Sequence, residues 1–127
     1  MITEDEHPQL IEFLGESLEI IEKREEDADD NTYDAPKRMM VLTGRRLILE
    51  NSMVFLTTAL DPCDWNTYIS RLKLQSEAMK TDLHLYRERR KELKLPISLR
   101  HAKRLGQYEQ TQSIIRKVEE ICSEIDN

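Results

Sequence analysis

Two long stripes of apolar side chains, spaced alternately three and four residues apart, constrain the fold of this chain most strongly. They lie within residues 39–60 and 62–94. This spacing places the apolar side chains along one side of an α-helix, where they can pack against a partner helix. The stripes consist of Met39, Leu42, Leu49, Met53, Leu56 and Leu60, and of Trp65, Ile69, Leu72, Met79, Leu83, Tyr86 and Leu93. Arg46, Ser76 and Arg90 interrupt them.

The remaining patterns predict two further helices. We expect helices over residues 8–26, 35–60, 62–94 and 98–124, with an acidic loop over residues 27–34. The helix starts carry proline in the first turn or a capping residue, and Ser98 is the expected cap of the fourth helix. The chain has 127 residues, only three glycines and no Asn-Gly or Asp-Gly hairpin turn. Such a composition favours a single helical domain covering residues 1–127.

The predicted fold is all-α: an elongated up-down four-helix bundle with a long central hairpin formed by helices 2 and 3. Helix 3 would be about 50 Å long at 1.5 Å per residue. A helix of that length in a small domain suggests sharing with a second subunit, so we expect a homo-oligomer. Gly44 would permit close approach of another helix, and Gly106 indicates either a kink or a close crossing. Tyr68 falls off the stripe and could belong to an interface.

Charge is distributed unevenly along the chain. Residues 1–34 contain 13 acidic and 2 basic residues, whereas residues 71–104 contain 11 basic and 4 acidic residues. The acidic candidates for interaction are Glu25, Glu26, Asp27, Asp29 and Asp30. The basic candidates are Arg87, Arg89, Arg90, Lys91, Lys94, Arg100, Lys103 and Arg104, which we call the basic pole. An up-down bundle would bring the two groups to the same end.

Three uses of the basic pole stay open from sequence alone. Its charges could be solvated or neutralised by the acidic loop, could bind an acidic protein, or could bind nucleic acid with Tyr86 available for stacking. Against nucleic acid, the net charge is -6 and no zinc-finger spacing, helix-turn-helix or RNA-binding sheet motif occurs.

Nothing in the sequence predicts catalysis, a cofactor or a metal. No glycine-rich phosphate loop occurs, and only His7 ends a Glu-x-x-His motif, outside the predicted helices. Each histidine is expected at the surface or rim of the bundle. Cys63 and Cys122 are expected as two inert thiols, although a reversible bond between them is conceivable.

The functional prediction is a non-enzymatic helical protein–protein interaction module, an adaptor, assembly factor or regulator that self-associates. The alternative is a nucleic-acid-binding or recombination-type accessory protein that uses residues 87–104. We expect a cytoplasmic location, or a nuclear one in a eukaryote, because the first residues are acidic, unlike a signal peptide. We expect no membrane partner, because the longest low-charge run, residues 51–60, is much shorter than a membrane span. The identity of the protein partner does not follow from the sequence.

Overall fold

The structure, a computed structural model, describes residues 6–27, 35–58, 65–93 and 98–126. Four helices form nearly all of this part: α1 Glu6–Glu26, α2 Ala35–Thr58, α3 Trp65–Leu93 and α4 Leu99–Asp126. The described ranges contain no strand, and the helices pack as in a helical bundle. The all-α, four-helix prediction is therefore confirmed. The predicted start of helix 3 at Asp61 and Pro62 lies outside the described residues.

Helix α4 is the centre of the packing. Both α2 and α3 pack on α4, while α1 packs mainly on α2 and touches α4 less extensively. The prediction of a central hairpin of helices 2 and 3 is therefore wrong: within the described ranges their backbones do not pack against each other. They meet through side chains, with the Phe55 and Tyr68 rings stacked at a centroid distance of 5.8 Å. An apolar stripe predicts that a helix packs on a neighbour, but it does not identify the neighbour.

Two glycines bring α2 and α4 into direct backbone contact. A Cβ atom added at Gly44 would collide with the carbonyl oxygen of Lys103 and lie 3.0 Å from the backbone nitrogen of Gln107. A Cβ added at Gly106 would collide with the carbonyl oxygen of Val41 and lie 2.8 Å from its carbonyl carbon. The helices can approach this closely only because both positions lack a side chain. Close approach, one of the two readings of Gly106 and the reading of Gly44, is thus observed at both glycines.

Side chains from all four helices form the core. The most deeply buried are Leu10, Leu14, Leu49, Thr111, Ile114, Val118 and Ile121. Thr111 lies in the polar middle of α4, where its hydroxyl donates to the carbonyl oxygen of Gln107 at 2.8 Å and lies 3.6 Å from the Met79 sulfur. Because its hydroxyl is hydrogen-bonded, Thr111 can be buried without an unpaired polar group. Tyr68 is also buried, so the suggestion that it belongs to an interface is wrong.

Helix α4 begins with the predicted cap. The Ser98 hydroxyl accepts a hydrogen bond from the backbone N–H of His101 at 3.0 Å. The Ser98 carbonyl accepts another from the N–H of Ala102 at 3.0 Å. These bonds satisfy two donors of the first turn, as expected for an N-cap serine.

Paired residues show that α3 and α4 run in opposite directions. Lys73 lies 3.0 Å from Glu119, and Asp82 lies 2.8 Å from Arg104 further along α3. Between them, buried Ser76 accepts a hydrogen bond from Gln112, which accounts for the polar interruption of the α3 stripe. The C-terminal end of α3 therefore lies beside the N-terminal end of α4.

The hydropathy of the described helices is relevant to the prediction of no membrane partner. Within the described ranges, none of the helices contains a stretch long and apolar enough to cross a bilayer.

The glycine crossing generates a stability prediction. Gly44→Ala and Gly106→Ala should each lower the free energy of unfolding by about 2 kcal/mol or more, because a backbone must move to accept the methyl group. Denaturant unfolding monitored by circular dichroism measures the change.

Gly15→Ala in α1 is the matched control. Its added Cβ would lie 4.0 Å from the Met53 terminal methyl carbon, an ordinary contact, so the higher helix propensity of alanine should leave stability unchanged or raise it by up to about 1 kcal/mol. Equal stabilities for all three variants would contradict the close crossing.

Candidate functional site

The basic pole lies at one end of the structure, where α3 ends and α4 begins. The antiparallel arrangement of these helices brings the α3 group, Arg87 to Lys91, beside the α4 group, Arg100 to Arg104. Lys94, which the sequence assigned to the same cluster, lies outside the described residues. The pole therefore brings together, at two adjacent helix ends, two groups of charges that are nine or more residues apart in sequence.

Most of the positive charges of the pole have no acidic partner within the described ranges. Arg104 is paired with Asp82, with N–O distances of 2.9 and 2.8 Å, and Lys91 lies 3.9 Å from Glu88. The other described members form neither an ion pair nor a side-chain hydrogen bond there: Arg87, Arg89, Arg90, Arg100 and Lys103. An excess of unpaired guanidinium groups at one place attracts anions.

Two adjacent surface cavities open among these side chains. The smaller has a volume of about 190 Å³ and the larger about 480 Å³. Tyr86 and Arg100 line both. The smaller cavity is completed by Arg89, Arg90, Leu93, Ser98 and His101, and the larger by Met40, Asp82, Lys103, Arg104 and Gln107. None of the described residues that line the smaller cavity is acidic and three are arginines, so arginine dominates the charge of this lining.

His101 is the buried polar residue of this site. It is only 4% exposed, and its ring lies 5.8 Å from the Tyr86 ring, centroid to centroid, at a tilt of 44°. Burial lowers the pKa of His101 below its usual value, and the positive charges of Arg90 and then Arg87 lower this pKa further. The imidazole is therefore neutral at physiological pH and adds hydrogen-bonding capacity rather than charge to the pole.

The positive charges of the basic pole lie at the N-terminal end of α4, which is also the positive end of the helix dipole. The first turn of α4 contains no acidic residue and includes Arg100. Cations near a helix N-terminus are unfavourable by a few tenths of a kcal/mol each, because the terminus itself carries partial positive charge. The two sources of positive potential add instead of cancelling, so this end of the protein favours negatively charged ligands.

The acidic candidates are only partly described. Glu25 lies 3.3 Å from Arg46 of α2, which also has Glu22 at 4.0 Å and Glu50 at 3.8 Å. Arg46, which interrupts the apolar stripe of α2, thus lies among three carboxylates, one from its own helix and two from α1. Glu26 and Asp27 are exposed, whereas Asp29 and Asp30 lie outside the described residues. Within the described ranges, no ion pair joins the acidic candidates to the basic pole.

Other potential sites are not visible in the described part of the chain. It holds no group of three or more histidine, cysteine or acidic side chains arranged to bind a metal ion. Cys63 lies outside the described residues, and the placement of the Cys122 side chain is not described either.

Sequence reasoning identified the charges of this site but missed its buried histidine. The expectation that each histidine lies at the surface is wrong for His101, and holds for His84, which is exposed. The spacing along the sequence was the available signal. Leu105 follows His101 by four residues and Tyr108 follows Leu105 by three, so His101 extends the apolar stripe of α4.

Comparison with known proteins adds no relative. The chain matches no protein-family model, and it has no significant match among the curated proteins or the solved structures.

The lowered pKa of His101 predicts a pH dependence of stability. Below a pH of about 6.5 the unfolded chain takes up a proton on this histidine that the folded protein resists. The free energy of unfolding should therefore fall as the pH is lowered from 7.5 towards 5.5, within the histidine range. His101→Gln, which cannot titrate, should show a shallower decline in urea unfolding measured across this range.

His84→Gln at an exposed position of α3 is the control and should decline as the wild type does. A decline in His101→Gln as steep as that of the wild type would assign the pH dependence to other groups.

Proposed function

We propose that this protein is a non-enzymatic helical interaction module, an adaptor, assembly factor or regulator, and that it self-associates. The observation that carries the proposal is the outer face of α3. Leu74 is 73% exposed and Leu85 is 58% exposed on the same face, which points away from α4, the one helix whose backbone packs on that of α3 within the described ranges. Exposed leucines on one side of a long helix are typical of a surface that binds another helix.

We extend the proposal to an elongated up-down arrangement of the bundle. Its support is the pairing of residues: α3 runs opposite to α4, as described above, and Arg46 of α2 meets the end of α1. Gly44 packs near Lys103 and Arg45 pairs with Glu109, which is compatible with α2 and α4 running in the same sense. In this arrangement the α3 face would be lateral and the basic pole terminal, so two partners could bind without competing.

Self-association is tested by sedimentation velocity over a range of protein concentration from about 1 to about 200 µM. We expect the weight-average sedimentation coefficient to rise with concentration from a monomer value. A monomer at every concentration would refute self-association and leave only binding to a different protein.

The second candidate function is binding of nucleic acid at the basic pole. The unpaired arginines at the junction of α3 and α4 and the half-buried Tyr86 beside them favour it. Arginine binds phosphate oxygens through its planar set of donors, and aromatic rings stack on unpaired bases. These features fit a single strand better than a duplex groove, since the charges cluster at one end instead of lining an extended helix surface.

A polyanion-binding experiment tests this candidate. We expect a fluorescently labelled single-stranded oligonucleotide to bind at about 50 mM salt and to lose affinity steeply by about 200 mM, because binding releases counterions from the strand. The triple variant Arg89→Glu/Arg90→Glu/Arg100→Glu should abolish binding as measured by fluorescence anisotropy.

The matched control reverses three exposed bases outside the pole, in Lys23→Glu/Arg24→Glu/Arg116→Glu. It changes the net charge equally, so retained binding by the control would place the effect at the pole. Failure of the wild type to bind at low salt would refute this candidate.

A further inference from the structure

A second heptad-like stripe runs along α3 on the side opposite its core stripe. Its members are spaced 3-4-3-4-3, and all of them are exposed: Arg71, Leu74, Ala78, Thr81, Leu85 and Glu88. The core-facing members of α3, such as Leu72, Met79 and Leu83, fall between them in sequence and are buried. One helix therefore carries a second stripe, and its two leucines are left exposed by the described part of the chain.

The order of side chains in this stripe is self-complementary when read from its two ends. From the N-terminal end it runs base, leucine, small residue; from the C-terminal end it runs acid, leucine, small residue. The centre of the pattern lies between residues 79 and 80, because each pair of equivalent positions has the same midpoint. A two-fold axis passing there would place unlike charges together and leucine against leucine.

We propose that the outer face of α3 binds the α3 helix of a second copy of this chain, antiparallel and about that two-fold axis. Leu74 lies against Leu85 of the second copy, Ala78 against Thr81, and Arg71 against Glu88. This assignment rests on the proposed self-association and specifies its surface, direction and register.

Charge selects the antiparallel direction. A parallel pair in register would place Arg71 against Arg71 and Glu88 against Glu88, whereas the antiparallel pair forms two attractive contacts. The residues on either side of the stripe agree with this choice. Glu77 lies near His84 of the second copy and Gln75 lies near its Asp82, so these positions bring no like charges together. Antiparallel helix pairs meet through alternating layers of this kind, in which the two heptad positions face one another.

Size favours close contact at the middle of the interface. Ala78 and Thr81 are the smallest side chains of the stripe and allow the helix backbones to approach, while the two leucine layers on either side supply the apolar burial. Arg71 is already held in place, since its guanidinium carbon lies 5.3 Å from the centre of the Phe55 ring. Its contact with Glu88 of the second copy lies at the rim of the interface. This contact fixes the register of the two helices more than it adds to the affinity. Four leucines form a small interface, so the dimer is expected at micromolar concentrations.

Replacement of one leucine tests the surface. Leu74→Ser should raise the dimer dissociation constant about a hundredfold, because the two-fold symmetry removes two leucine contacts that are each worth about tenfold. Ile20→Ser, at an exposed apolar position of α1 away from this face, should leave the constant unchanged. Sedimentation velocity measures both, and circular dichroism verifies that each variant keeps the wild-type helix content and melting temperature.

Charge exchange tests the register. Arg71→Glu and Glu88→Arg should each weaken the dimer by about five- to tenfold, since each variant places like charges at both symmetric contacts. The double variant Arg71→Glu/Glu88→Arg should restore the wild-type dissociation constant. In a parallel pair, Arg71 would face Arg71 and Glu88 would face Glu88. Each single variant would then replace one like-charge contact by another, so neither would weaken the dimer.

The outcomes separate this inference from the broader proposal. A dimer that Leu74→Ser leaves unchanged would overturn the α3 surface while self-association stands. Loss of the dimer in Leu74→Ser without restoration in the charge-exchanged double variant would overturn the register. A wild type that stays monomeric at every concentration would overturn both the interface and the proposed self-association.

Discussion

The close crossing of α2 and α4, at Gly44 of one helix and Gly106 of the other, is the constraint on which the rest of this structure depends. It brings the backbones of α2 and α4 together without intervening side chains. A helix that already lies this close to α4 leaves no room for α3 between them, so α3 packs on another side of α4. Helix α1 then covers α2 and is attached to it by the carboxylates that surround Arg46. A core shared by four helices results, and within the described ranges only α4 packs its backbone against the other three.

Both candidate interaction surfaces follow from the position of α3. Because the backbone of α3 packs on that of α4 alone within the described ranges, its opposite face, with Leu74 and Leu85, is exposed. Because α3 and α4 are antiparallel, the arginines that end one helix join those that begin the other. The lateral face offers apolar area and symmetric charges, whereas the terminal pole offers unpaired guanidinium groups and a helix N-terminus. These surfaces suit different partners: a second helix for the face and a polyanion for the pole.

Local features of this fold were predictable from the sequence, and pairings between helices were not. The spacing of apolar residues predicted the four helices, Ser98 was recognised as a cap, and close approach of another helix was the reading of Gly44 and one of two readings of Gly106. The predicted hairpin of helices 2 and 3 was wrong, because the backbones of both helices pack on α4 and not on each other. Tyr68 and His101 were misplaced for a related reason: burial depends on which neighbouring helix covers a residue, and single-helix periodicity contains only weak information about that. The charges of the basic pole were recognised, but only the structure shows that Arg104 and Lys91 have acidic partners while the other described members have none within the described ranges.

By itself, the sequence determined the secondary structure, the uneven distribution of charge and the self-complementary order of residues along α3, because these depend on spacing within one segment. The tertiary structure alone decided that α4 is the central helix, that His101 is buried among arginines, and that the second stripe of α3 faces outward. The physical reason is that a helix with apolar residues on several sides has several possible partners of similar energy. The choice among them was made by a contact between two backbones, where the absence of side chains is what matters.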